Sequence, residues 1–183
     1  MSELVKIRWA ELADVELIFS LICELAEYER AREDVTGNPD LLRHALFGPD
    51  PEAEAVIAEQ LDDAGAAQSG EAGGRVGGEP AGDAVGFALF YRTFSTWECR
   101  PGIWLEDLYV RPAQRRFGVG GALLARVAEI ALERGCARLE WAALNWNTPA
   151  LDFYARLTAQ QLDEWVMHRL DERALQRLFG PAA

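Results

Sequence analysis

Cysteine, histidine and positive charge are all scarce in this sequence, and it has no long apolar run. The three cysteines, Cys23, Cys99 and Cys136, are odd in number, widely spaced and without a CxxC pair. That excludes a disulfide framework and a cysteine-based zinc site. Cys23 and Cys136 fall in apolar helical or helix-end contexts and read as buried thiols. The two histidines, His44 and His168, stand alone, so no metal is expected. No stretch approaches the roughly 20 apolar residues of a membrane span. The opening segment MSELVKIRWAELADVE carries charge where a secretory signal would be apolar. A reduced, cytoplasmic setting is therefore expected, with no membrane partner. Basic residues number 18 against 30 acidic ones, a formal net charge of −12. Such a balance argues against nucleic acid as a partner and suits a cationic small molecule.

What is present is core material. Half of the 183 residues are apolar, enough for a single compact domain. Residues 4–9 alternate as a strand, and apolar residues at helical spacing run from Asp14 to about Arg30. Asn38-Pro39 starts a helix that ends before Gly48. Strands are expected at 54–60, 84–95, 102–111, 137–143 and 164–170. Helices are expected at 121–134, closed by Gly135, from Asn147 or Thr148 to about Leu157, and in a short amphipathic piece at 172–179. Residues 61–83 hold seven glycines and almost no large apolar side chains, and read as a flexible Gly/Ala-rich loop inserted between two strands. The order is that of an α/β (α+β) mixed sheet with helices on its faces.

The sharpest motif is WLEDLYVRPAQRRFGVGGALLAR, beginning at Trp104. Gly118, Gly120 and Gly121 sit where a helix begins, just after Arg115 and Arg116. Helix starts leave N–H groups unpaired and carry partial positive charge, so they receive phosphates. The same residues would also make a plain glycine-rich turn with a solvated basic edge. Two named phosphate loops fail on the letters. No GxxxxGK[ST] string exists, and a dinucleotide fingerprint would place its third glycine at Leu123 and begin right after the strand, whereas Arg111 to Phe117 intervene before Gly118.

RRFGVG (115–120), LEDLYV before it and NWNTPALDFY (145–154) after it resemble the GNAT acyl-CoA N-acetyltransferases. With ELAEYER (24–30) and VGFALFYRTFSTW (85–97), the chain is similar to the spermidine/spermine (diamine) branch. The resemblance spans nearly everything outside 61–83. It implies a GNAT-like acyl-CoA N-acyltransferase fold, acetyl-CoA as cosubstrate, no metal and a homodimer.

Moving acetyl from a thioester to an amine requires a neutral amine, although an alkyl ammonium has a pKa of about 10.4. It also requires donors for the oxyanion and a proton for the leaving thiolate. By resemblance Tyr154 is the general acid; on its own it would read rather as a core aromatic beside Phe153. Glu106 matches the carboxylate that binds the amine and relays its proton. Neighbours on a strand point to opposite faces, so Asp107 shares a site with Glu106 only if a bulge intervenes. Tyr28 and Glu29 match an amine-binding pair, and Glu140 and Trp141 another substrate-contacting stretch. For the cofactor, Leu108, Tyr109 and Val110 would offer backbone groups to the pantetheine arm. Arg115, Arg116, Phe117, Gly118, Val119, Gly120 and Gly121 would hold the pyrophosphate, and Asn147, Thr148, Pro149 and Ala150 the rest of the arm. Two positions depart from the family pattern: Arg116 and Thr158 each stand where glycine is frequent. The expected activity is direct acetyl transfer to a diamine, polyamine or thialysine-like amine. A protein-lysine acetyltransferase and a silent acyl-CoA-binding module are the other readings.

Overall fold

The computed structural model describes residues 5–61 and 83–180. The expected loop at 61–83 lies, apart from its two end residues, outside the described residues. The chain divides into two compact units, Met1–Ala142 and Ala143–Ala183.

The first unit is built on one five-stranded sheet in the order β1-β2-β3-β4-β5. Its strands are β1 (Val5–Trp9), β2 (Glu54–Gln60), β3 (Ala84–Ser95), β4 (Arg100–Val110) and β5 (Leu139–Trp141). Neighbours are antiparallel up to β4, and β4 pairs β5 in parallel. Its helices are α1 (Val15–Tyr28), α2 (Pro39–Phe47) and α3 (Val119–Glu133). The fold class expected from the sequence is met, and the first six elements fall within two residues of their expected bounds.

Alternation explains which side chains meet. Phe87, Leu89 and Tyr109 on one sheet face join Ile18 and Leu21 of α1, Leu46 of α2 and Ile57 of β2 in a buried cluster. On the other face α3 packs on β3 and β4, burying Leu123, Val127 and Ile130. Phe87 and Phe90, fully buried on opposite faces, contribute about 1.5–3 kcal/mol each. Cys136 is buried and Cys23 half-buried, whereas Cys99 is exposed in the β3–β4 turn.

Gly86 in β3 is required by close approach. A Cβ there would stand 2.5 Å from the Tyr109 carbonyl oxygen and 3.3 Å from Val110 Cα. Both are backbone, so the strands must part to admit it. Gly86→Ala is expected to cost about 1–3 kcal/mol, read as a lowered urea midpoint with an unchanged slope.

The second unit contains α4 (Thr148–Arg156) and α5 (Glu172–Phe179). The Asn147 side chain accepts from the Ala150 N–H at 3.4 Å, with proline in the first turn, and Asp171 caps α5 in the same way at 2.7 Å. Two expectations are corrected. The strand at 137–143 shrinks to Leu139–Trp141, because β5 pairs β4 over only three positions. Residues 164–170 form no strand. A strand exists through its ladder, and EWVMHRL sets three large apolar residues in a row, Trp165, Val166 and Met167, all exposed. Just before it Thr158 takes φ 59°, a costly conformation for a β-branched residue.

Candidate active site

Strand β4 carries the first part of the site, and its irregularity makes it. Tyr91 pairs Trp104 and Phe90 pairs Leu105, but Leu89 pairs Asp107. Glu106 is the extra residue of a bulge. Cross-strand partners share a face, so Trp104 and Asp107 both lie on the Leu89–Tyr91 side, which α1 and α2 cover further along. The expected opposition of Glu106 and Asp107 is thereby removed. The Glu106 carboxylate accepts from the indole N–H of Trp104 at 2.8 Å, which places it on that face too, where its charge bears on Tyr91.

Helix α1 delivers a third acid. Its last turn is closed by Arg30 at φ 61°, where the N–H groups of Arg30 and Ala31 bond the carbonyls of Glu27 and Ala26. A left-handed residue at this position turns the chain away and holds Tyr28 and Glu29 at the helix end. Glu29 is half-buried, and burial pushes its carboxyl up. Its charge also bears on Asp107. The Asp107 carboxyl is pushed up to about 7, first by burial, then by Glu106 and Glu29. Tyr91 is likewise pushed up by burial and by the Glu106 charge. The result is a cluster of three acids beside the rings of Tyr91 and Trp104, apt for a cation.

Not every residue singled out from the sequence joins this cluster. Glu140 pairs Trp104 across β5 and shares the face, but its carboxylate is bound by Arg138 Nε at 2.7 Å, while Arg138 also reaches Ser95. Trp141 pairs Leu105 and lies on the opposite face. Tyr109 is buried, its hydroxyl 3.3 Å from Glu24, so only its backbone is available. Tyr91 and Trp104 were missed by sequence reasoning. Trp104, two residues before Glu106 on one strand, was the available signal.

Beyond Leu105 the outer edge of β4, with Leu108 and Val110, has no partner in β5. The chain then bends through Arg115–Gly118. Arg115 Nε donates to the Val110 carbonyl at 2.9 Å, and its guanidinium lies 4.3 Å over the Tyr28 ring. Its charge thus joins the loop to the end of α1. Arg116 is exposed at φ 71°, and Gly118 takes φ 86° as the residue preceding α3. A Cβ on Gly121 would meet nothing within 4 Å, and one on Gly120 only a Val110 methyl at 3.7 Å. Packing within the protein therefore does not call for either glycine. A cradle of first-turn N–H groups with room above them fits a pyrophosphate.

In the second unit, Tyr154 is half-buried on α4, its ring 5.2 Å from that of Phe153. Asn147, Thr148, Pro149 and Ala150 form the capped start of the same helix. Among the described residues no group of three His, Cys, Asp or Glu side chains is arranged to hold a metal ion, and no helix is long and apolar enough to cross a membrane.

The chain is similar to proteins of known family. A profile described as the acetyltransferase (GNAT) family matches residues 40–158. The thialysine N-epsilon-acetyltransferase of Bos taurus is 39% identical over 96% of this chain and 98% of its own length. A human spermidine/spermine N(1)-acetyltransferase-like protein 1 is 31% identical over 93% of this chain and 23% of its own. An integron cassette protein from the mobile metagenome of V. cholerae shares the fold, with a TM-score of 0.70 at 23% identity over 97% of this chain and 98% of that one.

Proposed function

The chain belongs to the acetyltransferase (GNAT) family as an acetyl-CoA-dependent amine N-acetyltransferase, and from that premise we propose that its acceptor is a thialysine-like amino acid, a diamine or a polyamine. The observation that carries this reading is the bulge at Glu106, which gathers Glu106 and Asp107 on one face beside Glu29. Three acids at one place suit an amine with a second positive charge nearby, and the relatives named for thialysine and spermidine support that class.

Acetyl-CoA supplies the acetyl group as a thioester and leaves as a thiol. In the proposed reaction Glu106 holds the ammonium and takes its proton through water, so that a neutral amine attacks. Asp107, Glu29, Tyr28, Glu140 and Trp141 are the other substrate contacts proposed from the sequence; among them Glu29 and Asp107 have the strongest support, because their charges interact. Tyr154 donates the proton that the departing sulfur requires; a phenol is protonated at neutral pH and can do so. The backbone of Leu108, Tyr109 and Val110 receives the pantetheine arm, residues 115–121 the pyrophosphate, and 147–150 the remainder.

Both units act as one acetyltransferase domain in this reading, since the family match runs across their boundary. The protein is a cytoplasmic homodimer, with neither nucleic acid nor membrane as partner. The exposed Trp165, Met167 and Phe179 support a second copy as their cover, and the net charge of −12 supports the absence of polyanionic partners.

Arg116 offers a separate check. A non-glycine residue at φ 71° costs about 1–2 kcal/mol in left-handed strain, and the exposed guanidinium is placed to add a phosphate contact. Set against the extra entropy that glycine loses on folding, about 0.5–1 kcal/mol, relief of that strain in Arg116→Gly is expected to raise the melting temperature by up to about 4 °C and to raise the KM for acetyl-CoA several-fold. A variant more stable with an unchanged KM would remove Arg116 from the cofactor site. For the acceptor, a lysine peptide is expected to compete poorly against thialysine or spermidine. Preferential acetylation of the peptide, seen by product mass, would replace the small-amine reading.

A further inference from the structure

Glu106 occupies a position where strand pairing does not hold it. As the extra residue of the bulge it has no cross-strand partner on β3, and it carries an exposed, three-torsion side chain beside two other acids. Left alone, such a carboxylate would sample many rotamers and swing away from Asp107 into water. A neighbouring donor holds it instead. The indole N–H of Trp104 reaches Oε2 at 2.8 Å. Tyr91, the cross-strand partner of Trp104, lies near enough for the Glu106 charge to push its hydroxyl up. Trp104 is itself well fixed, half-buried between Tyr91 on β3 and Glu140 on β5. An indole N–H is a donor only, so this contact always presents a hydrogen to the acid and never competes for a cation.

We propose that Trp104 is a positioning residue for amine acetylation: its indole N–H orients the Glu106 carboxylate so that Oε1 faces the incoming ammonium. The inference rests on the proposed role of Glu106 and adds the device that aims it. Trp104 does not touch the reacting atoms; it acts through Glu106 alone.

A double-mutant cycle on the full chain tests this. Trp104→Phe keeps the ring and removes the donor, and is expected to lower kcat/KM for the amine about tenfold, the effect of one hydrogen bond to a charged group at a partly exposed site. The KM for acetyl-CoA stays unchanged. Glu106→Gln alone lowers kcat/KM about 100-fold, and the double variant is no slower than Glu106→Gln. Tyr91→Phe, which removes the polar group beside Trp104 and Glu106, gives a loss of about threefold, and is the deciding variant if thermal melts show that Trp104→Phe has unfolded. Glu106→Gln impaired with Trp104→Phe and Tyr91→Phe at the wild-type rate would overturn the positioning role and leave Glu106 in place. Additive losses in the double variant would overturn it as well. Full activity in Glu106→Gln would remove the role of Glu106, and the inference with it.

Discussion

Tyr154→Phe is expected to cut kcat by about 100- to 1,000-fold, within the usual range for losing a positioned general acid, while the KM for acetyl-CoA moves less than threefold. The substitution removes one oxygen from a half-buried ring packed on Phe153, so folding should survive. The effect should also depend on the leaving group. A thiol of lower pKa needs less help from an acid, so an activated thioester donor should recover part of the lost rate in the variant. A loss confined to KM would make Tyr154 a packing residue of α4 and no more.

Asp107→Asn is expected to trade activity for stability. Loss of a charge-assisted contact is worth about 1.5–3 kcal/mol, so kcat/KM for the amine should fall about 10- to 100-fold. The wild-type carboxyl is pushed up to about 7 by burial and by Glu106 and Glu29, whereas in an unfolded chain it titrates near about 3.9. Between these values the folded state keeps a proton that the unfolded chain has lost. The contribution of this group to stability is therefore largest below pH 4, falls as pH rises toward 7 and levels off above it. Asparagine carries no such dependence. The variant should melt higher than wild type at pH 8, with the difference fading toward pH 4. In the same titration, wild-type kcat/KM for the amine should decline below about pH 7 as Asp107 takes up its proton, and that limb should vanish in Asp107→Asn. A destabilised variant at pH 8 would show that the acid holds the fold rather than the substrate.

Much of this was legible in the letters, and the misses have physical causes. Asn38-Pro39 and Asn147 with Pro149 are capping signals, and both helices begin there. The stretch AVGFALFYRTFS is too apolar to stand without neighbours, and β3 is indeed paired on both sides. The bulge at Glu106 was not legible, because register is a property of two strands and no single-strand pattern encodes it. Tyr91 went unassigned for the same reason, since it faces this part of β4 only once that register is known, whereas the two-residue spacing of Trp104 and Glu106 on one strand was there to be read. The strand expected at 164–170 rested on β-forming residues alone, and nothing in one sequence shows whether a ladder partner is at hand. Two departures from the family's glycines proved informative. Arg116 and Thr158 both take positive φ, 71° and 59°, so each keeps the backbone turn that a glycine makes without strain.

The most direct measurement is thiol release from acetyl-CoA by the purified chain with putrescine, spermidine, thialysine, lysine and a lysine peptide as acceptors. Turnover of thialysine, a diamine or a polyamine is predicted, with N-acetylated product of the matching mass and a much slower reaction in Tyr154→Phe. Turnover of the peptide alone, or acetyl-CoA binding with no acceptor consumed, would contradict acetyl transfer to a small cationic amine.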